Sequence, residues 1–248
     1  MSSVYIAVPY TRPFFGAFID SLLHCEKPDT FMWKRLPFMG VDVARNALTK
    51  WFLLEELRPE FLLFIDNDAT WHPQAITRLL SHNLPVVCGG MYTRDLPPSP
   101  TWGKFVGTTK AGKRIYRYGE SARRVVQRMR SLDLREPEGN AICLEQTPDD
   151  LWEIDGCGMH FTMIRRDVIE ALTEPYFLDE NGTGAGEDFY FCRKVREAGF
   201  PIYVDESIHT GHIVGEGKTF GIRELMAYSN HVTDLDLDLV DDMGEYEV

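Results

Sequence analysis

The sequence predicts an α/β fold in which helices flank a central, mostly parallel sheet. Three observations carry this expectation. Short apolar runs alternate with amphipathic stretches through the first ninety residues, a βαβαβ order that calls for right-handed crossovers. One run, FLLFI at 61–65, is apolar at every position, as a strand covered on both faces requires. Prolines at 9, 37, 59 and 73 punctuate the elements at their ends.

Taken in order, VYIAVP at 4–9 reads as a buried strand stopped by Pro9. FFGAFIDSLLHC follows as a helix, with Phe14, Phe15, Phe18, Ile19, Leu22 and Leu23 at helical spacing. FMWKRLPF is a second strand ending at Pro37, and Asp42 is the expected cap of the helix VARNALTKWFLLEEL. FLLFID is the central strand, Pro73 opens the helix PQAITRLLSH, and LPVVCGGMY is the next strand. The following RDLPPSPTWGKFVGTTKAGKR, rich in proline, glycine and lysine, predicts a loop or hairpin, and SARRVVQRMRSLDL a basic helix; the loop/helix insertion is placed at 104–140. LWEIDGCGMHFTMIRRDVIEAL resumes the core as a strand and helix, GAGEDFYFCRKVREAG is a helix, and FPIYVDES is a strand. The expected organisation is one domain over 1–235 and an acidic tail over 236–248.

Bulk properties narrow the function. The 248 residues suffice for one large core. No apolar run approaches the roughly 18–20 residues that span a bilayer. The N-terminal residues lack the pattern of a secretory leader, so a cytoplasmic location is expected. Five cysteines, an odd number with no CxxC pair, argue against a zinc ribbon or a disulfide framework. A net charge of −12 disfavours a broad electrostatic grip on nucleic acid. The basic segment 104–135, with Arg123, Arg124, Arg128 and Arg130, still offers a local contact for DNA phosphates, or else a solvated face.

The chemistry begins at Asp66-Asn67-Asp68. A parallel strand ending in these residues puts carboxylates at the carboxyl edge of the sheet, where open α/β folds bind ligands. Two aspartates one residue apart supply hard oxygen ligands for Mg²⁺ or Mn²⁺, which neutralise phosphate. The same residues also suit a turn. Glu187-Asp188 follows a glycine-rich loop at a helix start, where carboxylates complement the helix dipole or do acid–base work. His209 and His212 follow the last strand, and a neutral imidazole ligates Mn²⁺ well. Lys218 sits in the GEGKTFG loop, which lacks the strand and helix context of a P-loop.

Four segments in order resemble the glycosyltransferase A-type fold, a Rossmann-like domain, and especially its family-2-like members: VYIAVPYTRP, VARNAL, FIDND and GEDFYFCRKVREAGFPIYVDESIHTGH. Together they cover roughly 4–100 and 150–213. The resemblance implies that Pro9, Tyr10 and Thr11 line a nucleotide-base pocket and that Arg45 contacts base or phosphate. It implies that Asp66 and Asn67 approach the donor, and that Asp66, Asp68 and His212 hold Mn²⁺ or Mg²⁺. His212 is preferred over His209 because the pattern places the ligand after glycine. Asp188 would be the base of an inverting transfer, Glu187 would orient the acceptor, and Lys218 would neutralise diphosphate. DGCGMHFTMIRR resembles the acceptor-side strand, so Trp152, Asp155 and Gly156 would border the acceptor. Trp152 also fits a core role, and Met159–Ile164 reads as core. The implied reaction moves a sugar from a nucleotide-diphosphate sugar, with a UDP-sugar favoured, to an acceptor hydroxyl. The compact form resembles glycosyltransferases of bacterial viruses, some of which modify hydroxymethylated DNA bases, and a saccharide acceptor stands beside that reading. The alternatives are a nucleotidyltransferase, which would carry a glycine-rich basic loop after the first strand, and a non-catalytic sugar-nucleotide binder.

Overall fold

The structure is a computed structural model and describes residues 3–10, 13–37, 40–94, 99–108, 114–117, 141–180, 186–215, 218–221 and 245–247. The predicted basic helix over 121–134 lies outside the described residues, as does most of the acidic tail.

The first half follows the predicted alternation: β1 (Ser3–Tyr10), α1 (Gly16–His24), β2 (Thr30–Pro37), α2 (Val41–Leu54), β3 (Phe61–Ile65), a two-residue β4 (Ala69–Thr70), α3 (Ala75–His82) and β5 (Val86–Gly90). After it come β6 (Trp102–Thr108), β7 (Arg114–Arg117), β8 (Ile142–Cys143), β9 (Leu151–Ile154), β10 (Gly156–Cys157), β11 (Phe161–Arg165), α4 (Arg166–Ala171), α5 (Glu187–Glu197), β12 (Ile202–His209), β13 (Gly211–Gly215), β14 (Lys218–Phe220) and β15 (Glu245–Glu247).

The main sheet has eight strands in the order β2-β1-β3-β11-β5-β12-β8, with β9 also pairing β12. β1 runs parallel to β2 and β3, and β12 parallel to β5. β11 enters between β3 and β5 and is antiparallel to both. The sheet is therefore mostly parallel, with β11 reversed at its centre and β8 and β9 running antiparallel to β12. The sheet buries both faces. On β1 and β3, Tyr5, Ala7, Leu62 and Phe64 point to one core with Leu48 and Phe52 of α2, Val168 and Ile169 of α4, and Phe191 and Val195 of α5. Val4, Ile6, Val8, Leu63 and Ile65 point to the other, with Phe18 and Leu22 of α1 and Ile76 and Leu79 of α3. The two-residue period of a strand distributes one apolar run between two helical layers. All five cysteines are free, and four are buried.

Two local expectations change. Asp42 does not cap α2: Gly40 holds that position at φ 145°, and Asp42 lies in the first turn, where its charge complements the helix dipole. The single strand expected across LWEIDGCGMHFTMIRR breaks into β9, β10 and β11 around Gly156 and Gly158. The insertion forms the hairpin β6–β7, flanked by β10 and by β15, so residues 245–247 pair with the hairpin. No helix among the described residues is long and apolar enough to cross a membrane.

Candidate active site at the carboxyl edge of the sheet

The carboxyl ends of β1, β3, β5 and β12 lie at one edge of the sheet, and because β11 is reversed its amino end lies there too. That places Tyr10, Asp66–Asp68, Arg94, His160 and His209–His212 at a common edge. A second pairing sets finer position. β13 pairs antiparallel with β4, Gly211 opposite Thr70 and His212 opposite Ala69, and the Ile213 amide donates to the Asp68 carbonyl at 2.6 Å. This register delivers His212 to Asp68, with Nε2 3.3 Å from Asp68 Oδ2. His209 is fully buried and stacks on Tyr92, ring centroids 5.9 Å apart.

Arg45 links the two acidic motifs. It projects from α2 and is buried; Nη1 donates to Glu187 Oε1, and Nη2 donates to Asp66 Oδ1 at 3.1 Å. Burial opposes its charge, but Asp66, Glu187 and Asp188 outweigh burial and raise its pKa above the ordinary value. The neighbouring Asn46 turns away: its amide donates to the Phe177 carbonyl at 2.6 Å, and its Oδ1 accepts from the Tyr176 amide at 2.8 Å. Asp66 is thus tied to Arg45, and Asp68 to His212.

Asp188 follows Glu187 in the first turn of α5. Burial, then the charge of Glu187, push its carboxyl from an ordinary 3.8 up to about 7. Burial also pushes Glu187 up, against Arg45. A carboxyl poised near neutrality is suited to accept a proton at working pH. Asp68 behaves oppositely: burial works against its charge, but His212 and Arg94 hold it below the usual carboxylate value.

Two residues at this edge escape a reading of the sequence. His160, which reads as core, is buried between the motifs, where burial first and His212 second push it down to about 3, so it is neutral. A Cβ on Gly158 would lie 3.0 Å from His160 Nδ1 and 3.5 Å from Asp188 Oδ2, so this glycine lets both side chains approach one backbone turn. The Asp66 amide donates to the His160 carbonyl at 3.0 Å, which fixes the end of β3 to the start of β11. The other residue is Arg94, beyond β5, whose guanidinium reaches Asp68 and His212 together. A histidine between a glycine and a strand, and an arginine just past a strand's carboxyl end, are the signals that point to them.

The remaining predicted residues are dispersed. Pro9 and Tyr10 end β1 opposite Leu36 and Pro37 of β2. Tyr10 lies 5.3 Å from Phe14 between ring centroids, with the Arg35 guanidinium 5.7 Å over its ring. Thr11 and the side chain of Lys218 lie outside the described residues. Asn67 is buried. Trp152 packs partly buried on the α2–α5 core. Asp155 fastens the hairpin, its Oδ2 accepting from the Phe105 amide at 3.0 Å and its Oδ1 lying 3.2 Å from Arg196 Nε. Gly156 faces Phe189 and Tyr116.

The donor set can be tested against a divalent cation. Asp68 Oδ2 and His212 Nε2 converge on one point that already attracts a positive group, Arg94. A carboxylate and an imidazole with water and diphosphate oxygens would complete a six-coordinate Mn²⁺ or Mg²⁺ shell, so the pair fits. Among the described residues no group of three or more His, Cys, Asp and Glu side chains is placed to hold a metal ion, so substrate oxygens would have to contribute.

Comparison with solved structures agrees with this architecture. The crystal structure of A197 from STIV superposes with a TM-score of 0.53 at 21% identity over 88% of both chains. GalNAc-T7, solved with UDP, GalNAc and Mn²⁺, gives a TM-score of 0.50 at 9% identity over 94% of this chain and 48% of that one. No family model matches the sequence, and no curated protein does. The fold is that of the glycosyltransferase A type.

Proposed function

We propose that this protein is a cation-dependent glycosyltransferase that moves a sugar from a nucleotide-diphosphate sugar, UDP-linked, to an acceptor hydroxyl with inversion. The observation that carries the reading is the separation of acidic groups at one sheet edge into two kinds. Asp68 is kept ionised beside His212, whereas Asp188 is held near neutrality by burial and by Glu187. Environments that push two carboxyls apart mark distinct acid–base roles. The UDP and Mn²⁺ of the GalNAc-T7 structure, on a similar fold, support the choice of donor and metal.

In this mechanism Asp68 and His212 would hold the cation. Mn²⁺ or Mg²⁺ bound there would neutralise diphosphate charge and so favour departure of the nucleotide. Asp188 accepts the acceptor's hydroxyl proton as that oxygen bonds to the anomeric carbon. The bond from that carbon to the diphosphate breaks, and its electron pair leaves with the nucleotide. Arg45 keeps Glu187 and Asp66 in place on either side, and Pro9, Tyr10 and Thr11 would serve the base. Lys218 would serve the diphosphate, and Trp152, Asp155 and Gly156 the acceptor. The acceptor is a saccharide or a hydroxymethylated DNA base, the second reading resting on the basic segment 104–135, and the setting is cytoplasmic.

The test is transfer from a panel of sugar nucleotides with Mn²⁺ to saccharide and hydroxymethylated-DNA acceptors, with UDP binding measured in parallel. Turnover by the parent that is lost in Asp188→Asn supports the reading. Tight UDP binding without turnover on any donor would leave a sugar-nucleotide binder instead.

A further inference from the structure

The guanidinium of Arg94 sits where the cation of the preceding section would sit. Its Nη2 contacts both Asp68 Oδ2 and His212 Nε2, and its Nε lies 2.8 Å from the same His212 nitrogen. An imidazole nitrogen has one lone pair. His212 Nε2 therefore serves either Arg94 or a metal ion, never both. We propose that Arg94 is a built-in competitor for the Asp68–His212 pair, which a divalent cation must displace in order to bind and which the donor diphosphate draws off. The inference rests on reading Asp68 and His212 as the cation pair.

The chemistry of the pair supports it. Removal of the guanidinium takes a more strongly held cation or a better anion. A diphosphate is such an anion, since guanidinium pairs with phosphate oxygens through a planar fork. Arg94 can also move: its side chain is 43% exposed, and it lies past the end of β5 rather than within a strand.

The consequence is reciprocal coupling. If UDP draws Arg94 away, UDP tightens the cation site, and the cation tightens UDP by the same factor. The experiment is a calorimetric titration of the full chain with MnCl₂ alone, then in saturating UDP, for the parent, Arg94→Gln, Arg94→Ala and Asp68→Asn. Circular dichroism confirms that each is folded. Without UDP, both Arg94 variants are expected to bind Mn²⁺ about tenfold more tightly than the parent, within the usual range of coupling factors. With UDP the parent's affinity rises toward theirs, and Asp68→Asn loses the site in both conditions. Unchanged or weaker Mn²⁺ binding in both Arg94 variants overturns the proposal. So does a parent whose Mn²⁺ affinity is indifferent to UDP. If none of the proteins binds Mn²⁺ while UDP still binds, the competitor role falls and the donor site stands. If the Arg94 variants bind Mn²⁺ more tightly but no sugar nucleotide is turned over, the competitor role stands and the transferase reading falls.

Discussion

Replacing Asp188 with asparagine removes a charge that the fold holds at a cost. The carboxyl titrates near 3.8 in ordinary surroundings and is pushed up to about 7 in the folded chain. Below pH 4 the group is protonated folded or unfolded and costs nothing. Between pH 4 and 7 the unfolded chain releases its proton while the folded chain keeps it, so stability falls as pH rises, and above 7 the loss is complete. At about 1.36 kcal/mol per pKa unit the ceiling is about 4 kcal/mol. Residual solvent contact reduces this, and about 2 kcal/mol is the working figure. The carboxamide of the Asp188→Asn variant does not titrate, so urea denaturation should find that variant more stable than the parent at pH 8, with the gap closing by pH 4. Transfer should move the other way. The parent's rate should rise with pH through about 7, as the carboxyl becomes able to accept a proton, while the variant stays inactive with UDP binding intact. A parent–variant stability gap that is the same at both pH values would refute the raised pKa, and substantial transfer by the variant would refute the base.

Further expectations follow from the same geometry. Arg45→Ala strands Glu187 and Asp66 without their buried partner and should destabilise the fold by about 3 kcal/mol at neutral pH, measured by chemical denaturation. Gly156→Ala puts a methyl 2.6 Å from the Phe189 ring and 2.9 Å from that of Tyr116, and should cost about 1–3 kcal/mol in the same assay. Asp68→Asn and His212→Ala should each raise the Mn²⁺ concentration needed for half-maximal transfer by about tenfold or more, with little change in the melting temperature measured without metal. Neutralising Arg123, Arg124 and Arg128 together should weaken transfer to DNA and flatten its salt dependence, leaving transfer to small saccharides unchanged.

The layered fold is legible because periodicity alone carries it. FLLFI is apolar throughout, as a doubly covered strand must be, and both cores converge on it. What periodicity cannot carry is pairing between distant segments. The reversal of β11 and its place between β3 and β5 depend on contacts spanning about a hundred residues, and nothing local in FTMIR reports direction. The site divides in the same way. Asp66, Asp68, Glu187, Asp188 and His212 stand out as acids and a histidine at element ends. The engagement of Arg45 with two carboxylates, and that of Asn46 with the Phe177 loop, come from helix orientation, and both look alike in VARNAL. His160 is hidden by its apolar neighbours, since a buried neutral imidazole is compatible with a core run. Asp42 shows the local limit: a good capping residue is present, but Gly40 at positive φ sets the start of the helix.

The intercalation of β11 makes the two halves of the chain topologically dependent. Residues 1–94 carry β1, β2, β3 and β5, but β3 and β5 do not pair; each presents a bare row of amides and carbonyls until a strand made some seventy residues later slides between them. Exposed apolar edges of that kind are templates for unwanted pairing. The centre of the sheet can therefore close only once residues 161–165 have been made, and a chain severed in the insertion would have to re-form its centre from two fragments rather than join two finished halves.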